Sequence, residues 1–105
     1  PAEAEPETPR IGVSVAPLTA ELRREYGLPG NVSGVVVSSV APSGPAAEAG
    51  LRAGDVIVAA GGTTLDTVED LQAAVAEAGE EPLLLRVFSN GAYVFRAVTP
   101  RAPDG

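Results

Sequence analysis

Residues 50–57 read Gly-Leu-Arg-Ala-Gly-Asp-Val-Ile and decide how this chain folds. Two glycines and an aspartate within six residues are typical of a tight turn, and the β-branched residues after them predict a strand over 55–60. On the other side, Pro45 stands where a first helical turn accepts proline, and Gly50 stands where helices end. The segment therefore predicts helix, turn and strand in close succession.

Residues 10–15, Arg-Ile-Gly-Val-Ser-Val, form the first apolar stretch of the chain. Their alternation with period two predicts a strand with one buried face. Gly12 weakens a strand interior, but it lets the backbone take unusual dihedral angles or approach another chain closely. If the edge of this strand is free, it can accept a peptide as one more strand.

The other elements are predicted by capping residues and turn chemistry. Thr19 predicts the start of a short helix over 20–26, and the valine-rich residues 34–40 predict a strand buried on both faces in its first half. A Gly-Gly turn leads to a short strand at 63–65. Asn-Gly at 90–91 predicts a hairpin between strands 83–89 and 92–99.

The best-defined helix carries an apolar stripe with 3-4-3 spacing, at Val68, Leu71, Val75 and Ala78. We expect Asp66 to cap it together with Glu69, with Thr67 as an alternative cap. The expected core residues are Val35, Val37, Val56 and Leu84. Arg23, Arg24 and Glu25 are expected to form a solvated helix face.

Composition excludes several functions. The 105 residues suffice for one domain, whose core must be built from aliphatic residues because only two Tyr and two Phe are present. Fourteen acids against seven arginines give a net charge of −7, which disfavours nucleic-acid and anionic-membrane partners. Without His or Cys, neither a Ser–His pair nor a thiol nucleophile can form. We expect no catalytic residue, no metal site and no cofactor.

The ends of the chain differ from its middle. Residues 1–9, Pro-Ala-Glu-Ala-Glu-Pro-Glu-Thr-Pro, predict a flexible acidic linker, and residues 100–105 predict a disordered tail. One ordered domain is expected over 10–99. No apolar run approaches the ~18 residues that span a bilayer, and no signal peptide is apparent, so no membrane contact by this domain is expected.

The predicted order is β-α-β-α-β-β-α-β-β, a small α+β domain of five to six short strands. Residues 50–57, after the short helix over 45–49, resemble the signature of a bacterial PDZ domain, and the resemblance covers 10–99. It implies a partly open β-barrel or sandwich, capped by two main helices and one short helix.

The order of the elements refines the resemblance. Nothing strand-like precedes Arg10, and residues 93–98 end the domain, as in the circularly permuted PDZ domains of bacterial proteases. Residues 11–28 look most like the second PDZ domain of Do/HtrA-type serine proteases. This resemblance implies a periplasmic parent protein whose protease domain lies outside the sequence.

The resemblance also implies a site. The backbone amides of Ile11, Gly12 and Val13 would hold the carboxylate of a peptide's C-terminus. The rest of the strand and the groove would be supplied by Arg10, Ser14, Val15, Val68, Leu71, Gln72 and Val75. Ile11, Val13, Leu71 and Val75 would line a pocket for the last, apolar side chain, although periodicity alone equally describes four core residues.

Two functions follow as hypotheses. In the first, the chain is a peptide-binding regulatory module of a serine protease, which binds C-terminal or unfolded peptides with apolar residues by strand addition. In the second, it is a structural, oligomerisation or docking domain of that protease, in contact with its other domains or subunits, and its groove is idle or closed. Neither hypothesis makes the chain itself an enzyme.

Overall fold

The computed structural model describes residues 7–8, 11–42, 44–79 and 81–100. Within these ranges the chain forms three helices and seven strands. They are β1 (Glu7–Thr8), β2 (Val13–Pro17), α1 (Ala20–Glu25), β3 (Val35–Val40), α2 (Pro45–Ala49), β4 (Val56–Ala60), β5 (Thr63–Thr64), α3 (Val68–Ala78), β6 (Leu83–Ser89) and β7 (Ala92–Val98).

All strand pairs are antiparallel, and six strands follow one another in the order β1-β2-β3-β4-β6-β7. β5 pairs with β4 beside this path. The small α+β class is thereby confirmed. The expectation that nothing strand-like precedes Arg10 is wrong, because β1 lies there. Its sequence, Glu-Thr, carries no alternation, and only its pairing with β2 makes it a strand.

The sheet buries side chains on both faces. One core cluster joins β2, β3 and β6 to α2 and α3, and it contains Val35 and Val37. The second cluster contains Val36, Val56 and Phe88, with Leu22 of α1 packed against it. β3 is therefore buried on both faces in its first half, as predicted.

One predicted core residue is placed wrongly. The side chain of Leu84 is 50% exposed, whereas those of Leu83 and Leu85 are buried. Three consecutive leucines satisfy either phase of a two-residue repeat, so the sequence could not decide which face of β6 points inward.

The helix ends follow the predicted chemistry, with one shift. Thr19 caps α1 by accepting a hydrogen bond from Leu22 N at 3.2 Å. At α3 the cap is Thr67, the alternative prediction: Asp70 N donates to Thr67 Oγ1 at 3.1 Å, and Thr67 N donates to Asp70 Oδ2 at 3.2 Å. The prediction of Asp66 with Glu69 is wrong by one residue.

Arg23 also departs from the prediction of a solvated helix face. Its guanidinium donates to the carbonyl oxygens of Pro29, at 2.8 Å, and Val32. The side chain therefore fastens the loop after α1, whereas Arg24 and Glu25 are exposed as expected.

The pairing of β2 with β3 contains a bulge. Ser14 is the partner of Ser39 and Val15 is the partner of Val37, so Ser38 is an extra residue on β3. The hydroxyl of Ser38 donates to the carbonyl of Ser14 at 2.9 Å, which holds the bulge against β2.

The turn over residues 50–55 is held by hydrogen bonds that its backbone N–H groups donate. Gly54 N donates to Val37 O at 2.8 Å, and Asp55 N donates to Arg52 O at 3.1 Å. The carboxylate of Asp55, a residue only 7% exposed, accepts from Arg52 N at 3.1 Å. The turn thus continues the ladder between β3 and β4.

Candidate functional site

The loop before β2 is held by its carbonyl groups. Ala46 N, in the first turn of α2, donates to the carbonyl of Ile11 at 2.9 Å. Ala41 N, just after β3, donates to the carbonyl of Gly12 at 2.8 Å. Two parts of the chain some thirty residues away along the sequence therefore fix the conformation of this loop.

The orientation of the amides follows from these two bonds. In a trans peptide unit, the C=O and the next N–H point in opposite directions. Because the carbonyl of Ile11 points at α2, the N–H of Gly12 faces away from α2. Because the carbonyl of Gly12 points at Ala41, the N–H of Val13 faces away from β3. The Val13 donor therefore points toward the side of β2 that β3 does not cover, and the Gly12 donor points away from the start of α2.

Glycine is required at position 12 for two reasons. Its φ angle is +77°, in the left-handed region that L side chains avoid. A Cβ atom there would also lie 3.2 Å from the Cα of Gly44. The close approach of these two glycines brings the loop against the start of α2, where the carbonyl of Ile11 is bound.

α3 lies beside β2 and closes the site on one flank. Leu71 and Val75 face the core and are 0% and 2% exposed, whereas Gln72 is on the exposed surface of the helix. On the loop side, Ile11 and Val13 are 0% and 3% exposed and belong to the same cluster.

A cleft of about 360 Å³ opens at the far end of β2, next to the first turn of α3. It is lined by Pro17, Asp66, Thr67, Val68, Glu69 and Gln72. Two of these residues are acidic. An extended segment lying along β2 would reach this cleft after leaving the Gly12 loop.

The edge of β2 opposite β3 is partly covered by β1. Glu7 is the register partner of Ser14, and Thr8 is the register partner of Val13. The edge at Val15 and beyond is not part of this pairing. The candidate site is therefore a strand edge whose first two residues are paired within the chain.

The structure brings the predicted site residues together in space. Ile11, Gly12 and Val13 form the loop and the start of β2, Ser14 and Val15 continue the strand, and Val68 to Val75 form the flanking helix. Arg10 lies outside the described residues. The side chains that the resemblance assigns to the pocket are buried in the core cluster, which the alternative also expected, and their role in a pocket stays a prediction.

Sequence reasoning missed the residues that hold the loop. Ala41, Gly44 and Ala46 do so through backbone groups or close backbone contact. Such a role cannot be predicted from the side chains of these residues. The one available signal was the pair of glycines at 12 and 44, and their contact depends on a strand register that the sequence does not encode locally.

The described part of the chain offers no metal centre, because no group of three or more His, Cys, Asp or Glu side chains is placed to hold an ion there. Among those same residues, no helix is both long and apolar enough to cross a membrane. The chemistry that the site offers is that of outward-facing backbone groups beside the amphipathic helix α3.

Comparison with known proteins agrees with this geometry. The family model described as "PDZ domain" matches residues 36–87. The PDZ domain of HtrA3, solved with a phage-derived ligand of sequence FGRWV, superposes with a TM-score of 0.74 at 34% identity, covering 87% of this chain and 83% of that one. The chain belongs to the PDZ domain family.

Within that family, it resembles the PDZ domains of HtrA/DegP-type serine proteases. The HtrA-type protease AlgW, solved with a decapeptide, matches with a TM-score of 0.77 at 33% identity, over 90% of this chain and 30% of that one. A probable periplasmic DegP-like serine endoprotease of Chlamydia pneumoniae is 30% identical over 91 residues, which cover 87% of this chain. The chain spans about a fifth (19%) of that relative's length.

Proposed function

We propose that this chain is the peptide-binding regulatory module of an HtrA-type serine protease. It binds the C-terminal segment of a protein by adding it as an antiparallel strand to the edge of β2. The observation that carries the proposal is the inward anchoring of the carbonyls of Ile11 and Gly12. It directs the N–H groups of Gly12 and Val13 outward, where converging donors suit a carboxylate without any buried cation.

The ligand is a peptide whose last residue is apolar. Two similar PDZ-containing structures contain peptides, and the ligand named for one of them ends in valine. Because Leu71 and Val75 are almost fully buried here, the last side chain enters by moving α3 slightly away from β2. Upstream residues of the peptide follow Val15 toward the cleft at Pro17 and Val68. A strand of about four residues gives affinities on the order of micromolar.

The parent protein is proposed to be a periplasmic serine endopeptidase in which the module recruits substrate or relays binding to the protease domain. Curated relatives of this kind are named probable periplasmic serine endoproteases. In the same proposal, the domain is a partly open, circularly permuted barrel, with β7 in the place of the usual first strand. Weak single-site binding is multiplied by avidity if the parent is oligomeric.

A second function, structural docking with an idle groove, is favoured by two observations. β1 pairs with Val13 and Ser14, and the apolar side chains along the site are buried. In this alternative the domain contacts other domains or subunits of the parent protease, and free peptide termini have no effect on it.

One titration separates the two functions. The ¹⁵N-labelled chain is titrated with a peptide that ends in an apolar residue and a free carboxylate, and separately with the same peptide carrying a C-terminal amide. Peptide binding predicts shifts at Gly12, Val13 and along Val68–Val75, and at least about tenfold weaker binding of the amide, because a charged acceptor at backbone N–H groups is worth about 1.5–3 kcal/mol. Equal responses to both peptides, or none at these residues, would reject peptide-terminus recognition.

A further inference from the structure

The strand edge that the proposed function needs is already occupied by the chain itself. β1 lies at the end of the sheet order, next to β2 and opposite β3. We propose that the segment containing Glu7 and Thr8 is an intramolecular competitor that must leave β2 before a peptide can bind. This inference rests on the proposed function and adds a regulatory step to it.

The register makes the competition direct. Thr8 is the partner of Val13, whose N–H faces the edge that β3 leaves open. β1 is antiparallel to β2, which is also the polarity proposed for the peptide. Each outward N–H and C=O of a strand edge pairs with one neighbouring strand at a time. Peptide and β1 therefore compete for the backbone groups of Val13, and both would occupy the position beside Ser14.

The sequence around β1 keeps this contact reversible. The segment reads Pro6-Glu7-Thr8-Pro9, and neither proline has an N–H to donate to a ladder. Pairing is therefore restricted to two residues, a length that is marginal by itself. Only two residues, Pro9 and Arg10, separate Thr8 from Ile11, so the effective concentration of the competitor is high although each contact is weak.

The expected size of the effect follows from population arithmetic. If β1 leaves β2 during only a fraction of the time, the apparent dissociation constant equals the intrinsic constant divided by that fraction. A marginal two-residue pairing that is closed for most of the time predicts about three- to tenfold weaker peptide binding than an open edge would give.

A reversible disulfide between β1 and β2, called the lock below, tests the inference. The natural sequence has no Cys, so Glu7→Cys with Ser14→Cys introduces only the two intended thiols. These residues are register partners, and since Val13 directs its own groups to β1, they form a non-hydrogen-bonded pair, with Cα atoms about 4.5 Å apart. A disulfide spans that distance. The oxidised variant is expected to bind the free-carboxylate peptide at least about tenfold more weakly than the same variant after reduction.

Release of the competitor is tested with Thr8→Pro, which removes a backbone donor from the pairing with Val13. It is expected to bind the peptide about three- to tenfold more tightly than the natural sequence. Ala4→Pro is the matched control, since it places the same residue in the same acidic segment outside β1, and it should bind like the natural sequence. Hydrogen exchange at the amide of Val13, measured without peptide, should accelerate in Thr8→Pro and not in Ala4→Pro.

The outcomes separate this inference from the proposed function. Equal affinities of the oxidised and reduced lock, or of Thr8→Pro and Ala4→Pro, would overturn the competitor while peptide binding itself stands. If neither the natural chain nor the reduced lock binds the peptide, the proposed function is wrong, and the proposal of a competitor is wrong with it.

Discussion

Two of the glycine-containing turns of this domain, residues 11–12 and residues 50–55, orient their backbone groups in opposite ways. In the second turn the N–H groups of Leu51, Arg52 and Gly54 all donate to acceptors inside the domain. In the first turn the carbonyls of Ile11 and Gly12 accept from inside the domain. One turn uses its donors internally, and the other presents its donors to the outside.

This difference distinguishes a structural turn from a binding loop. Both contain glycine with positive φ, and both stand beside a β-branched strand, so their sequences look equally constrained. Only the direction of the hydrogen bonds separates them. A loop that binds an anion needs N–H groups that point away from the protein interior. This orientation follows when the carbonyl of the same peptide unit is hydrogen-bonded inside the domain. Three predictions test this distinction.

The largest effect is expected from Asp55→Ala in the structural turn. The substitution removes the buried acceptor of Arg52 N, so the free energy of unfolding should fall by about 1–3 kcal/mol. Peptide affinity under native conditions should change less than about twofold, because no part of the β2 edge is touched. Urea denaturation followed by circular dichroism measures the first quantity.

Glu77→Ala, at an exposed carboxylate on α3, is the control and should stay within about 0.5 kcal/mol. A stable Asp55→Ala variant, or one with strongly weakened peptide binding, would contradict the assignment of residues 50–55 as purely structural.

The second prediction compares two glycines with nearly the same backbone conformation. Gly12 has a φ of +77° and Gly91 has a φ of +81°. Alanine at either position should cost about 1–2 kcal/mol of stability from the left-handed conformation. At Gly12 the added methyl group must also displace Gly44, and we expect peptide affinity to fall about tenfold, which corresponds to about 1.4 kcal/mol. At Gly91 no other part of the chain that the structure describes lies within 4 Å of the added atom, and affinity should be unchanged.

Calorimetric titration of both variants with one peptide, together with their thermal unfolding, gives the comparison. Similar losses of affinity in the two variants would mean that the Gly12 loop has no special part in binding.

The smallest effect is expected in hydrogen exchange. The amides of Leu51 and Gly54 donate within the protein, so a saturating peptide should leave their exchange rates unchanged. The amide of Gly12, which lies before the pairing of β1 with β2, should exchange about tenfold more slowly once a peptide carboxylate accepts from it, because binding opposes local opening. NMR-detected exchange with and without peptide measures both sets in one sample. Slowing of the whole domain to the same extent would indicate general stabilisation and not a local carboxylate contact.

Much of the fold could be predicted because local chemistry specified it. Pro45 and Gly50 bound α2, and Asn90 and Gly91, with φ angles of +52° and +81°, form the predicted hairpin turn. The stripe at Val68, Leu71 and Val75 is buried as its spacing requires. In each case the relevant interaction lies within a few residues, so pattern and structure agree.

The sequence-based predictions were wrong or incomplete where the structure depends on pairing between strands that are distant in the sequence. The exposure of Leu84 depends on which face of β6 meets the core, and a run of three leucines leaves that phase open. β1 exists only because Glu7 and Thr8 meet β2. The residues that anchor the Gly12 loop act through backbone atoms, which every residue except proline offers alike. These features were not encoded in any short stretch.

The extra residue in β3 governs how the chain tolerates insertion and deletion. Val35 and Val37 face the core cluster, and beyond Ser38 it is Val40, three positions on, that packs against the same cluster. Deleting Ser38 would remove the bulge and place Val40 two positions after Val37, so that simple alternation keeps both side chains on the core face. Ala41 would stay opposite Gly12, whose carbonyl it binds. The bulge is thus the place in β3 where the loss of one residue leaves the support of the Gly12 loop intact, whereas a deletion elsewhere in the strand shifts Val40 and Ala41 by one register position.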